Sequence, residues 1–347
     1  MPWSGAAPGG SHRAGSLSAT HIPDYRASRT RRRSADQKSR EGTTMTSERI
    51  GFIGLGFMGR GMAANLLAKG FPLTILGHRN RAPIEALVAK GATEVKTPAE
   101  VARASTIVFL CVTGSPEVEA NMRGPNGLLA GAAPGTVIID CTTADPTSTL
   151  QLASEAAAAG VTFVDAPLGG TPAQAEAGQL SAMVGTDEAT YARIEPVIRA
   201  WAAKSVRIGA VGDGHKMKLL NNFVSLGYAS IYAEALTLAQ KTGISPQVFD
   251  SVLRGSRMDC GFYQTFFDWV INRNPEAHKF TLANALKDVR YLDGLANAAG
   301  VANPVGSAVK NAFATAVASG HGGDFVPTLS DFVAGLNGVS LAPDPDA

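Results

Sequence analysis

The sequence is poor in the features that mark disulfide-stabilised and membrane proteins. It has only three cysteines in 347 residues, Cys111, Cys141 and Cys260, which are too few and too scattered for a disulfide framework. We therefore expect reduced, buried thiols. No apolar run reaches the roughly 18 residues that a membrane span needs. Together these absences predict a cytoplasmic protein without a membrane partner.

The sequence also lacks a strong net charge. Residues 1–44 carry eight basic residues against three acidic ones, which leaves −3 for the rest of a chain whose net charge is +2. The part after the tail is thus not expected to bind nucleic acid. Residues 1–48 are typical of a disordered basic tail. We favour an idle tail, or sequence upstream of a true start at Met45, over a transit peptide.

A glycine-rich turn gives the first functional signal. Gly54-Leu55-Gly56-Phe57-Met58-Gly59 fits G-x-G-x-x-G and lies between an apolar strand, Ile50–Ile53, and a helical segment, Met58–Lys69. In this context Gly54 allows the tight turn, Gly56 the approach of a pyrophosphate, and Gly59 close packing of helix on strand. The pattern predicts a dinucleotide site made of Gly54, Leu55, Gly56, Phe57, Met58 and Gly59.

The next strand, Pro72–Leu76, is informative because no acidic residue follows it. An NAD-preferring site expects Asp or Glu there for the ribose 2′-hydroxyl. Arg79 and Arg81 stand there instead and can pair with a 2′-phosphate. We therefore favour NADP over NAD as the cofactor, and no metal is expected.

Strand and helix patterns then alternate as far as Ile208. This alternation predicts a doubly wound parallel sheet, in which ligands bind beyond the carboxyl ends of strands, so the loops after Cys111 and Asp140 should cover the cofactor. Further on, only helical patterns remain. We predict an α/β protein with an N-terminal Rossmann domain over residues 49–211 and an all-α C-terminal domain over residues 212–340, joined by a long interdomain helix.

That interdomain helix is predicted over Gly212–Lys241, with Asp213 as its cap. Apolar or small residues recur at helical spacing and predict one buried stripe, consisting of Met217, Leu220, Val224, Gly227, Ile231, Ala235 and Leu238. Lys218 and Asn222 share another face, beside this stripe, where a cleft wall would lie. We hypothesise that Lys218 carries the chemistry. A second candidate segment, Gly169-Gly170-Thr171, follows a strand and offers N–H groups and a hydroxyl to a substrate anion.

With these segments identified, residues 49–340 resemble the β-hydroxyacid dehydrogenase family, of which 3-hydroxyisobutyrate dehydrogenases are familiar members. The resemblance rests on four segments in order: the glycine-rich turn with Met62–Leu66, Asp165–Leu180, Gly212–Asn222, and Lys287-Asp288. It implies an NAD(P)-dependent enzyme that transfers hydride between the nicotinamide and a small, anionic 3-hydroxy acid or its aldehyde.

The resemblance also implies roles for individual residues. Lys218 would be catalytic and Asn222 would position the substrate beside Gly169, Gly170 and Thr171. Lys287 would reach the active site beside the nicotinamide. The other implied cofactor contacts are Thr143, Cys111 and Val112.

Two departures from the family pattern keep alternatives open. The substrate loop has Gly-Gly-Thr where the family usually has Ser-Gly-Gly, and the sulfolactaldehyde reductase branch has an Arg that is missing here. Val289-Arg290-Tyr291 replaces small apolar residues and suggests a differently shaped pocket. The alternatives are a sulfolactaldehyde or semialdehyde reductase of the same family and a non-catalytic dinucleotide-binding interaction module. We also expect a homodimer or homotetramer, because a long apolar helix in a small domain leaves surface to bury.

Overall fold

One sheet organises the N-terminal half of the chain in the computed structural model, which describes residues 48–342. The predicted tail lies outside these residues apart from Glu48. The strand order is β3-β2-β1-β4-β5-β6-β8-β7, with β9 paired to β8. The strands are β1 (Ile50–Ile53), β2 (Leu73–Leu76), β3 (Thr93–Val95), β4 (Ile107–Leu110), β5 (Val137–Asp140), β6 (Thr162–Asp165), β7 (Leu168–Gly169), β8 (Leu180–Gly185) and β9 (Ala202–Gly209).

The first six strands are all parallel, and their order reverses direction between β1 and β4. This is the doubly wound Rossmann arrangement, so the predicted fold class is confirmed. Ligands bind such sheets outside the carboxyl ends of the strands at the point of reversal. The sheet continues beyond β6 into β8, which runs antiparallel to both β6 and β7.

Helices cover both faces of the sheet and form the whole C-terminal half. Those of the first half are α1 (Gly59–Ala68), α2 (Ala82–Val88), α3 (Pro98–Ala104), α4 (Ser115–Met122), α5 (Leu128–Gly131), α6 (Pro146–Ala158), α7 (Pro172–Glu176) and α8 (Glu188–Ile198). Those of the second half are α9 (Asp213–Lys241), α10 (Pro246–Leu253), α11 (Gly261–Asn272), α12 (Leu282–Ala298), α13 (Pro304–Ala316) and α14 (Leu329–Leu336), with a π-helical turn (Val317–His321) and a 3₁₀ turn (Val326–Thr328).

The elements that the sequence did not predict are the shortest ones. β3 has three residues, β7 two and α5 four, and none is long enough to show a period. The helical half has a core of its own, in which Tyr232 packs against rings on α11 such as Tyr263, Phe266 and Phe267. Apolar clusters on either side of the sheet form the core of the first half.

The predicted buried stripe of α9 is wrong for the single chain. Ile231 is 60% exposed and Leu238 65% exposed, and Met217, Leu220 and Val224 are exposed as well. The face that packs against the protein is instead Leu219, Asn222, Leu226, Ala229, Ala233 and Leu236. Both sets follow the same helical spacing, so periodicity alone could not tell which one faces the protein's own core.

The start of α9 is held by a carboxylate from the sheet, and not by Asp213 as predicted. Asp165, fully buried at the end of β6, accepts hydrogen bonds from the N–H groups of Gly212 and His215, both at 2.7 Å. Gly212 precedes the helix with φ +92°, a conformation that favours glycine. Asp213 accepts instead from Ala210 N. The sheet thus fixes where α9 begins, and with it the positions of Lys218 and Asn222.

The prediction of buried thiols is confirmed for Cys141, confirmed in part for Cys111 and wrong for Cys260. All three are free thiols; Cys141 is buried and Cys111 half-buried, but Cys260 is exposed in the loop before α11. Within residues 48–342 no helix is both long and apolar enough to cross a bilayer. The same residues contain no cluster of three His, Cys, Asp or Glu side chains that would hold a metal ion.

Candidate active site

The glycine-rich turn between β1 and α1 has the shape of a phosphate cradle. A Cβ on Gly54, whose φ is +100°, would lie 2.1 Å from the carbonyl oxygen of Cys111, and one on Gly59 would lie 1.9 Å from the carbonyl oxygen of Gly54. Neither position tolerates a side chain. A Cβ on Gly56 would meet no atom within 4 Å, so this glycine faces open space. The turn therefore leaves room for a diphosphate against its backbone.

The N-terminus of α1 is prepared for an anion. No side chain caps it, and its first turn holds no acidic residue, so no carboxylate of that turn opposes a bound anion. The half-exposed ring of Phe57 has the Arg60 guanidinium 6.0 Å from its centre and the Lys279 ammonium at 5.7 Å. Lys279 belongs to the helical half, so the two halves meet at this turn.

The two arginines after β2 have different surroundings. Arg81 makes a bidentate ion pair with Glu94 of β3, at 2.6 and 2.8 Å. This bond raises the pKa of Arg81 and lowers that of Glu94. Arg79 is exposed, and no ion pair of Arg79 is formed within the described part of the chain. The Glu94 carboxylate also lies close to Gly77. The loop after β2 has no acidic residue of its own, but Glu94 of β3 places a carboxylate beside it.

The loops after β4 and β5 lie side by side at the carboxyl edge of the sheet. Val112 N donates to the hydroxyl of Thr142 at 3.2 Å, and the buried Asp140 accepts from Thr142 N at 2.9 Å. Burial and the charge of Asp140 raise the pKa of the Cys111 thiol to about 12, so this thiol stays neutral. The structure therefore brings Cys111 and Val112 next to the loop that carries Thr143.

Helix α12 reaches these two loops from the helical half. The Lys287 ammonium donates to the carbonyl oxygens of Thr113, at 2.6 Å, and Thr143, at 2.7 Å. Each of these residues lies three positions beyond the end of its strand. Lys287 therefore connects α12 to both loops at the edge where a Rossmann sheet binds its ligand.

Asp288, for which the sequence predicted no role, lies between Asn222 and Lys287. Its carboxylate is buried; Oδ2 accepts from the Asn222 amide at 2.6 Å, and Oδ1 lies 3.0 Å from the Lys287 ammonium. Oδ1 has no well-aligned hydrogen-bond donor within residues 48–342. The motif Lys287-Asp288 was the available signal, but only the fold shows that this acid joins α9 to α12.

Lys218 lies on the same face of α9 as Asn222, one turn earlier. Its side chain is half-buried, and no hydrogen-bond acceptor for its Nζ occurs among the residues that the structure describes. Loss of hydration lowers the pKa of Lys218, Asp288 opposes this, and the Lys287 charge lowers it further. This amine is therefore primed to lose its proton more readily than an ordinary lysine.

The predicted substrate segment uses part of its hydrogen-bonding capacity internally. Thr171 caps α7: its N–H donates to the Gln174 side chain at 2.9 Å, and its hydroxyl oxygen accepts from Gln174 N at 3.3 Å. Gly170 has φ +128°, which favours glycine. The hydroxyl proton of Thr171 remains for a ligand. Within the described residues no hydrogen bond joins this segment to Lys218 or Asn222.

Comparisons with known proteins agree with this geometry. A family model described as the NAD binding domain of 6-phosphogluconate dehydrogenase matches residues 49–210, and one described as the NAD-binding of NADP-dependent 3-hydroxyisobutyrate dehydrogenase matches residues 212–329. The chain is 39% identical over 207 residues to 2-(hydroxymethyl)glutarate dehydrogenase of Eubacterium barkeri, covering 60% of this chain and 68% of that protein. It is 30% identical over 273 residues to 3-sulfolactaldehyde reductase of Escherichia coli, covering 79% of this chain and 91% of that one.

The chain belongs to the β-hydroxyacid dehydrogenase family.

Two further similarities concern the fold and the length of this dehydrogenase. The solved 3-hydroxyisobutyrate dehydrogenase of Mycobacterium tuberculosis, with L-serine, superposes with a TM-score of 0.73 at 27% identity, covering 82% of this chain and 99% of that one. Human cytokine-like nuclear factor N-PAC is 30% identical over 275 residues, 79% of this chain, but the chain spans only 49% of its length.

As a member of this family, the chain is an NAD(P)-dependent oxidoreductase, and its groups fall into two sets. Phe57 and the glycines of the turn form the anion cradle, with Cys111, Val112 and Thr143 along the neighbouring strand ends. Lys218, Asn222, Lys287 and Asp288 form a charged cluster between α9 and α12. The assignment of individual residues to these roles stays a prediction.

The charges around Lys218 predict that two substitutions will shift the pH profile of this dehydrogenase in opposite directions. Asp288 raises the lysine pKa and Lys287 lowers it. If the neutral amine accepts the substrate proton, alcohol oxidation rises with pH through this pKa. Asp288→Asn should therefore move the rise to lower pH, and Lys287→Met should move it to higher pH.

The measurement is kcat/KM for oxidation against pH, with folding checked by circular dichroism. Lys241→Met, at the far end of α9, is the control and should leave the profile in place. Shifts of both variants in the same direction would contradict the assignment.

Proposed function

We propose that this protein transfers hydride between NADP or NAD and a small, anionic 3-hydroxy acid or its aldehyde, with Lys218 as the catalytic residue. The observation that carries the proposal is the state of the Lys218 amine. It lies on the rigid helix α9, half-buried, with a lowered pKa and no acceptor among the described residues. Lys287, by contrast, is held by two carbonyl groups and Asp288.

Lys218, Asn222 and Asp288 each have a role in this mechanism. The nicotinamide, when bound, accepts or donates the hydride at its C4 atom. Lys218 takes the proton of the substrate hydroxyl during oxidation and returns it to the carbonyl oxygen during reduction. If the amine stays charged, it stabilises the developing alkoxide instead. Asn222, oriented by Asp288 at 2.6 Å, holds the substrate beside the lysine.

The substrate anion is assigned to Gly169, Gly170 and Thr171. The free hydroxyl proton of Thr171 and the left-handed backbone at Gly170 support an anion-binding turn. The name of the relative 2-(hydroxymethyl)glutarate dehydrogenase supports a hydroxy acid, since that compound carries a primary hydroxyl and carboxylates. A cytoplasmic location stays a prediction from the sequence.

The test of this function is Lys218→Met, which keeps an unbranched side chain one atom shorter and removes the amine. Turnover of small 3-hydroxy acids or their aldehydes should fall about 100-fold or more, the range for loss of a general acid or base. The dissociation constant for NADPH, measured by fluorescence, should change little. Lys216→Met, on another face of α9, is the matched control, because Lys216 pairs with Asp213. Near-normal turnover of Lys218→Met would refute the assignment.

Two alternatives compete with the hydroxy-acid activity. The similarity to 3-sulfolactaldehyde reductase over 91% of its length favours reduction of an aldehyde that carries a sulfonate. The second alternative is a dinucleotide-binding interaction module, which the name of the relative N-PAC, a cytokine-like nuclear factor, supports. A screen of 3-hydroxy acids, semialdehydes and sulfolactaldehyde with NADH and NADPH separates the three, because the module should bind dinucleotide and turn over none of them.

We further propose that NADP is the preferred cofactor and that Arg79 binds its 2′-phosphate. Arg79 is exposed beyond β2, whereas the guanidinium of Arg81 is occupied by Glu94. Arg79→Gln should raise the dissociation constant of NADPH roughly tenfold, the value of one charge-assisted hydrogen bond, and leave that of NADH unchanged. Arg81→Gln is the comparison and should have a smaller effect. Equal weakening of both cofactors by Arg79→Gln would oppose the proposal.

We also propose that the exposed apolar face of α9 pairs with a second copy of the chain, giving a homodimer or homotetramer. The face carries Met217, Leu220, Val224, Ile231 and Leu238 along a single 29-residue helix, an extent of exposed apolar surface that marks an interface. Ile231→Glu should convert the oligomer to a monomer in light scattering. Val88→Glu, at an exposed valine on α2, should not. An unchanged mass for Ile231→Glu would exclude this face.

A further inference from the structure

Helix α12 makes a second contact with the strand-end loops, one turn after Lys287. The hydroxyl of Tyr291 accepts a hydrogen bond from Ser115 N at 3.2 Å. The Lys287 ammonium lies 5.4 Å from the centre of the Tyr291 ring. The two side chains therefore lie next to each other on one face of α12 and contact the same loop.

Ser115 also forms a hydrogen bond with the next loop. It is a buried residue at the first position of α4, and its hydroxyl accepts from Asp145 N at 2.8 Å. Asp145 in turn caps α6 through Thr147 N at 2.9 Å. The chain Tyr291–Ser115–Asp145 therefore connects the helical half to the loop after β4 and then to the loop after β5. Lys287 joins the same two loops at Thr113 and Thr143.

The loop backbone leaves no space between itself and α12. A Cβ on Gly114 would lie 3.0 Å from Cδ of Lys287 and 3.0 Å from the hydroxyl oxygen of Tyr291. Gly114 precedes α4 and has no side chain to cap it. Because the first N–H groups of a helix lack acceptors within the helix, the Tyr291 oxygen supplies one that α4 would otherwise need.

We propose that Tyr291 is a positioning residue for cofactor binding, which sets the spacing of the two strand-end loops through Ser115. The inference rests on the dinucleotide site of the proposed function, since Cys111, Val112 and Thr143 belong to these loops. Tyr291 need not touch the cofactor. Its hydroxyl holds the loops in their binding arrangement before the dinucleotide arrives, so that less binding free energy goes into ordering them.

The test is Tyr291→Phe, which removes the hydroxyl and keeps the ring beside Lys287. The dissociation constants of NADPH and NADH, measured by fluorescence without substrate, should rise about three- to tenfold, the value of one neutral hydrogen bond. The kcat at saturating cofactor and the KM of the hydroxy-acid substrate should stay within about twofold, because Lys218 and Asn222 are unaffected. Tyr191→Phe, on α8 with its hydroxyl 3.0 Å from that of Ser205, is the control and should change none of these values.

A double-mutant cycle with Ser115→Ala tests the link through Ser115. If Tyr291 acts through Ser115, the double variant should weaken cofactor binding less than the product of the two single effects. Additive effects, or an unchanged dissociation constant in Tyr291→Phe despite a lower unfolding temperature, would overturn the proposal and leave Tyr291 as a stabilising residue only. If the unmutated protein itself binds neither dinucleotide, the proposed function fails first, so the two failures are distinguishable.

Discussion

The rest of the site depends on the contacts of the buried Asp288 carboxylate with Asn222 and Lys287. It is buried between α9 and α12, where it accepts from Asn222 and faces the ammonium of Lys287. A buried carboxylate is costly unless it is paired, so these contacts fix the relative position of the two helices. The same charge acts on Lys218, where it partly offsets the loss of hydration that lowers the lysine pKa. One acid thus orders the Asn222 amide, holds the bridging Lys287 and raises the pKa of the Lys218 amine, for which we propose the catalytic role.

A second buried carboxylate sets the position of that cluster relative to the sheet. Asp165 ends β6 and binds the first N–H groups of α9, and the buried His215 packs there with contacts to Thr149 at 2.7 Å and to the carbonyl oxygen of Thr142 at 2.9 Å. Removal from water raises the pKa of Asp165, while His215 and the two backbone N–H groups counter this effect. Lys218 lies three residues, less than one helical turn, after His215, so its position follows from the sheet.

The main features of the fold could be predicted because each rests on a local pattern. The strand–turn–helix of Ile50–Ala68 combines an apolar run with glycines at fixed spacing, and the long helix combines helical spacing with a stop at Thr242-Gly243. The face on which α9 is buried could not be predicted, since two stripes share the same period. A choice between them needs the shape of the rest of the protein, and the exposed stripe is the face that we propose for contact with a second copy.

In the site, too, some features could be predicted from the sequence and others could not. Lys218 and Asn222 stood out because they are four residues apart on one helix, whereas their partner Asp288 lies 66 positions from Asn222. From the sequence alone, Arg79 and Arg81 are equivalent. In the structure, Glu94 of β3 pairs with Arg81 only, and β3 is too short to be predicted. Tyr291 showed only as a departure from the family pattern, and its contact with Ser115 spans 176 positions. Pairings over such distances follow from the topology and not from local spacing.

The measurement that tests the central claim most directly is the pKa of the Lys218 amine. Nitrogen-15 NMR of the lysine side chains, assigned by comparison with the Lys218→Met spectrum, follows each amine through a pH titration in the intact protein. The account predicts that Lys218 titrates below the ordinary lysine value of 10.5, because loss of hydration and the charge of Lys287 outweigh Asp288. A Lys218 pKa at or above that value would mean that the amine is solvated or fully paired, and would contradict its role as the proton-transferring group.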